Sequence, residues 1–100
     1  MKRYLVAVTG LKADDEKAII NFARKKGVGW WHRISNVWLI VDPNDKTSAE
    51  EIRDLLFDMS NSKVGLVLEG PAADLWVGFA AKDQAEETFT WLDKNWTKQN

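Results

Sequence analysis

The residues of this chain that could do chemistry are few and scattered. His32 is the single histidine, so one chain cannot assemble a two-histidine metal site or a Ser-His-Asp triad with a spare base. A strand histidine beside tryptophans reads first as a packing residue. Asp42 and Asp45 flank Pro43-Asn44 behind an apolar run. Two carboxylates at the mouth of a sheet could hold Mg²⁺, a hard cation that takes oxygen ligands, but Asx side chains around a proline are also what a turn requires. Asp14 and Asp15, near Thr9, form the other candidate pair, and they equally suit the start of a helix. Thr9-Gly10-Leu11-Lys12 puts a glycine and a lysine ahead of a helix without the spacing of a phosphate loop. No catalytic residue, metal ligand or cofactor site is assigned from these patterns.

Charge narrows the partners. The chain has 100 residues with 14 Lys and Arg against 15 Asp and Glu, and no cysteine. A phosphate-binding surface needs clustered cations, and the only cluster is Arg24-Lys25-Lys26, with Arg33 as a possible neighbour. A helix C-terminus favours cations there in any case, so nucleic-acid contact is expected to be weak or none. The absence of cysteine removes disulfides, thiol nucleophiles and thiolate zinc sites. With no signal-peptide pattern and no apolar run of about 18 residues, the expectation is a cytoplasmic protein with no membrane partner.

The elements that must position these residues are legible in order. Arg3 to Val8 is apolar at both parities, the pattern of a strand inside a sheet. Asp14 or Asp15 is expected to cap a helix that buries Ile19, Phe22 and Ala23 and stops at Gly27. Val28 to Ile34 and Val37 to Val41 form a hairpin around a two-residue turn at Ser35-Asn36, where asparagine tolerates the left-handed backbone. On the first arm Val28, Trp30, His32 and Ile34 oppose Gly29, Trp31 and Arg33, and on the second Val37, Leu39 and Val41 oppose Trp38 and Ile40. Trp31, Trp38 and Ile40, or their opposite-parity neighbours, are therefore expected on the face that the helices leave open. A second helix begins at the overlapping capping boxes Thr47 with Glu50 and Ser48 with Glu51 and buries Ile52, Leu55, Leu56 and Met59. Lys63 to Gly70 is a strand, Leu75 to Phe79 a short edge strand, and Asp83 to Trp96 a last helix capped by Asp83 with Glu86 and striped with Ala85, Phe89, Leu92 and Trp96.

This order predicts one domain over 1–100, with its core at 3–70 and an extension at 74–96. The fold class is α+β, a ferredoxin-like βαββαβ sandwich with a short extra strand and a C-terminal helix. Two helices cover one face of such a sheet. The other face, with Trp31, Trp38, Ile40, Trp76 and Phe79 as expected interface residues, needs a second subunit or the chain's own last helix.

The run Gly29-Trp30-Trp31-His32, then Trp38-Leu39-Ile40, Ser48 to Leu56 and Leu66-Val67-Leu68-Glu69 resembles the SinR-like small bacterial proteins. These belong to a ferredoxin-like group that includes the small CRISPR adaptation subunit and the VapD toxins. The resemblance spans Tyr4 to Glu69 and implies that fold and a homodimer. Nuclease relatives use an aspartate at the end of the first strand, where this chain has Val8-Thr9-Gly10. The expected function is thus a non-catalytic dimeric binding or regulatory module with a possible protein partner. The alternatives are a metal-dependent nuclease with a degenerate site and a small inhibitor of a host enzyme.

Overall fold

A computed structural model describes residues 1–59, 64–70 and 80–97. Its elements are β1 (Lys2–Val8), α1 (Ala13–Lys26), β2 (Gly29–Ile34), β3 (Val37–Asp42), α2 (Ala49–Met59), β4 (Gly65–Gly70) and α3 (Lys82–Asn95). The chain divides into two compact units, Met1–Gly70 and Pro71–Asn100, and the fold class is α+β.

In the first unit the four strands form an antiparallel sheet in the order β2-β3-β1-β4. β1 lies inside it, as its two-sided apolarity predicts. Its even residues Tyr4, Val6 and Val8 are buried with Trp38 and Ile40 of β3, and the cluster is closed by Ile19 and Ala23 of α1 and by Ile52 and Leu56 of α2. Side chains alternate along a strand, so both helices lie on the even face of β1. On the other face Leu5 stands across from Leu39 and Leu68, and Ala7 across from Val37 and Leu66.

Local sequence accounts for the helices. Gly27 at φ 72° ends α1 in the left-handed conformation, with its N–H donating to Arg24 O (3.2 Å) and that of Val28 to Ala23 O (3.0 Å). The start of α1 differs from expectation. Lys12 is the N-cap, and Asp15 acts from inside the first turn by accepting the Lys12 N–H at 2.9 Å. For α2, Ser48 Oγ accepts the Glu51 N–H at 3.1 Å, one half of the expected capping box. Glu51 turns elsewhere, accepting from Thr47 Oγ1 at 3.2 Å and pairing with Lys26 Nζ at 2.9 Å, which ties the end of α1 to the start of α2.

The hairpin holds the main correction. A two-residue turn alone would set Trp31 across from Ile40. The observed pairs are Ile34 with Val37, Trp31 with Leu39, Trp30 with Ile40 and Gly29 with Val41, with an irregularity between Trp31 and Ile34. β2 therefore carries one extra residue, and His32 and Arg33 together oppose Trp38, as in a β-bulge. The extra residue exchanges the two faces upstream of it. Trp30 packs against the helix-side core, and Trp31 lies on the opposite face. Trp38 (0% exposed) and Ile40 (2%) belong to the helix-side core and are not exposed at an interface with Trp31. The positive-φ residues among those described are Gly10, Gly27 and Asp45, so Ser35 and Asn36 turn without a left-handed residue. Such turns splay a hairpin, and the bulge restores twist.

In the second unit α3 starts at Ala81, with Gln84 N–H donating to Ala81 O at 2.8 Å and no side-chain cap, so the expected Asp83–Glu86 cap is absent. It closes with Trp96 N–H donating to Leu92 O at 2.9 Å, and the Trp91 and Trp96 rings lie 6.5 Å apart. The expected strand at Leu75 to Phe79 lies outside the described residues.

The core assignment has a direct check. Ile52→Ala, at a site 2% exposed, is expected to cost about 2–5 kcal/mol in urea unfolding, whereas Phe57→Ala, at a site 84% exposed, should stay within about 0.5 kcal/mol of the parent.

Candidate functional site

Most of the polar side chains singled out above meet the first unit at two places, the α1–β2 junction and the loop after β3. At the junction the bulge turns His32 toward the helices, where its ring stacks on Trp38 with centroids 3.8 Å apart and planes 3° from parallel. Nδ1 lies 2.9 Å from Val37 O, and Nε2 lies 2.5 Å from Glu16 Oε2 on α1. One ring nitrogen lies against a backbone carbonyl and the other against a carboxylate, so both are engaged within the fold and His32 clamps α1 to the hairpin. Glu16 was legible only as a first-turn acid, because its partner lies 16 residues away. The Trp38 indole N–H is buried and has no hydrogen-bond partner among the described residues, so the stacked histidine and the surrounding core hold this ring.

At the end of β3, Asp42 is fully buried. Its Oδ1 accepts the Lys46 N–H at 3.0 Å and its Oδ2 the Thr47 N–H at 2.9 Å. Both carboxylate oxygens are thus used to fold the loop that leads into α2. Asp45 is exposed, at φ 53°. Asp15 is spent on the Lys12 N–H, and Asp14 is exposed beside it. Among the described residues no group of three or more His, Asp or Glu side chains gathers to hold a metal ion.

Tyr4 closes the same loop from β1, its hydroxyl donating to Thr47 O at 3.3 Å. Burial, with added repulsion from Glu69, Asp42, Asp45 and Glu50, pushes its phenol up to about 12 from an ordinary 10.0. The neutral form is the one that the fold accommodates.

The basic residues do not form one surface. Lys26 pairs with Glu51, and its Nζ lies 5.9 Å from the centre of the Phe22 ring. Arg24 is exposed and sets its guanidinium 5.8 Å from the centre of the Trp30 ring, a cation–π distance. Lys25 is exposed, and Arg33 sits in the bulge. Of the five expected interface residues, Trp31 lies on the sheet face opposite α1 and α2, Trp38 and Ile40 lie in the core, and Trp76 and Phe79 lie outside the described residues.

Exposed apolar side chains gather at a place the sequence did not single out. Val64 (67% exposed), just before β4, and Leu66 (52%) and Leu68 (52%) of β4 follow one another at the end of the described sheet. On α3 a shallow concavity runs past Asp83, Glu86, Trp91 and Lys94. In three comparisons with known proteins, no family model, no curated protein and no solved structure matches the chain.

Two measurements test these assignments. Tyr4 is the single tyrosine, so tyrosinate absorbance should show one titration with its midpoint at about 12. The unfolded chain loses this proton near 10 and the folded chain holds it, so Tyr4's contribution to stability is complete below pH 10 and is lost as pH rises toward 12, with a slope of at most about 1.4 kcal/mol per pH unit. Asp42→Ala leaves the buried Thr47 N–H and the part-buried Lys46 N–H without their acceptor and should cost about 2–4 kcal/mol in chemical unfolding, whereas Asp45→Ala should change little.

Proposed function

We propose that this chain is a non-catalytic, dimeric binding module of ferredoxin-like architecture. Support for the architecture comes from the element order βαββαβ of the first unit, the antiparallel strand order β2-β3-β1-β4 and the convergence of α1 and α2 on one face of the sheet. Kinship with the SinR-like proteins belongs to the same proposal and rests on the runs quoted above.

The observation that carries the functional reading is a division of labour among side chains. His32, Glu16, Asp15, Asp42 and Glu51 are bonded within the fold, and the exposed Asp14 and Asp45 join no group of three ligand-forming side chains among the described residues. Apolar side chains meanwhile stand in water along one strand. Exposed aliphatic residues in a row favour association. Arg24 and Lys25 add too little charge, and too little convergence, to favour nucleic acid as the principal partner.

Light scattering at micromolar concentration should return the mass of two chains, and assays with RNA and DNA should show no cleavage that depends on Mg²⁺ or Mn²⁺. A monomer would overturn the dimer. Metal-dependent cleavage that survives purification would overturn the non-catalytic reading.

A further inference from the structure

We propose that two copies of the chain join edge to edge through β4, antiparallel about a twofold axis at Val67, so that the two sheets become one. This inference rests on the dimer reading above and names its surface.

The parity of the backbone at the edge carries the argument. Thr9 N–H donates to Val64 O at 3.2 Å, one step beyond the pairing of Val8 with Gly65. In an antiparallel ladder, residues that bond to the neighbouring strand alternate with residues whose N–H and C=O point away from it. Val64, Leu66 and Leu68 therefore direct their backbone groups toward β1, and Gly65, Val67 and Glu69 direct theirs outward. Among the described residues β4 has a strand neighbour on the β1 side only.

A second β4 fits these outward groups in one symmetric register. With the axis at Val67, Val67 meets the partner's Val67 and Gly65 meets the partner's Glu69, each pair exchanging both backbone bonds. Between them Leu66 meets the partner's Leu68 in non-hydrogen-bonded pairs, where side chains come closest. Both leucines lie on the sheet face opposite α1 and α2, across from Ala7 and Leu5, and their half-exposed surfaces cover one another.

Charge agrees with this occupant. Glu69 is the only charged residue of Gly65–Gly70, and in this register it stands across from a glycine. No like charges are opposed. The strand also contains no lysine and no proline, the usual guards of an edge, and Leu-Val-Leu reads the same in both directions about the axis.

The full-length chain tests the proposal. Val67→Pro removes an outward N–H without touching the ladder to β1, so it should stay folded by circular dichroism and run as a monomer where the parent runs as a dimer. The chain has no cysteine, so Leu66→Cys and Leu68→Cys chains, mixed and oxidised, should form a disulfide-linked pair containing one of each, and Leu66→Cys alone should cross-link poorly. If Val67→Pro fails to fold, the cross-link decides alone. A parent dimer whose mixed cysteine chains do not cross-link overturns edge pairing and leaves the dimer standing. A parent monomer overturns both, and slow amide exchange at Gly65, Val67 and Glu69 in that monomer would assign the edge to another strand.

Discussion

One extra residue in β2 sets the parity of every side chain upstream of it in that strand. Between Trp31 and Ile34 the chain spends two residues, His32 and Arg33, against Trp38 alone. Without the bulge, Trp31 would enter the helix-side core and Trp30 would leave it. With it, Trp30 lies across from Ile40 and packs under the helices, Trp31 lies across from Leu39, and the histidine ring lies flat on Trp38. The bulge also aims His32 at Glu16, so the irregularity that fixes the register clamps α1 to the sheet as well.

The carboxylates around the loop entering α2 show how polar groups can serve the fold itself. A buried acceptor costs free energy unless donors reach it, and the loop entering α2 supplies two backbone donors to Asp42 and an acceptor for Tyr4. Glu51 bridges Thr47 and Lys26 next to the same loop. Asp42 and Glu51 are thus engaged in joining β3 to α2 and α1 to α2. The raised phenol of Tyr4 belongs to this closure, since ionisation there would place a charge in a core already ringed by Glu69, Asp42, Asp45 and Glu50.

The proposed association rests on what α1 and α2 leave uncovered. α1 and α2 close the even face of β1 and β3, while β4, at the end of the sheet, keeps its leucines half exposed. Its outward backbone groups and alternate apolar side chains together favour addition of a further strand. This is a different surface from the tryptophan face that the hairpin pattern suggested.

The sequence by itself determined the elements of α1, α2 and the four-stranded sheet, because their signals act over a few residues: Gly27 as a stop, Ser48 as a cap, the spacing of Ile52, Leu55, Leu56 and Met59, and the two-sided apolarity of β1. It also carried the α+β class through the order of those elements. It left the faces of the hairpin undecided, since a period of two reverses on a single inserted residue and Trp30 and Trp31 are chemically the same. Only the tertiary structure decided which tryptophan is core, that Glu16 is the partner of His32, that both oxygens of Asp42 are spent, and that β4 ends the described sheet. Each of these depends on contacts between elements distant in the chain, where packing volume and the pairing of buried polar groups choose among arrangements that local sequence permits equally.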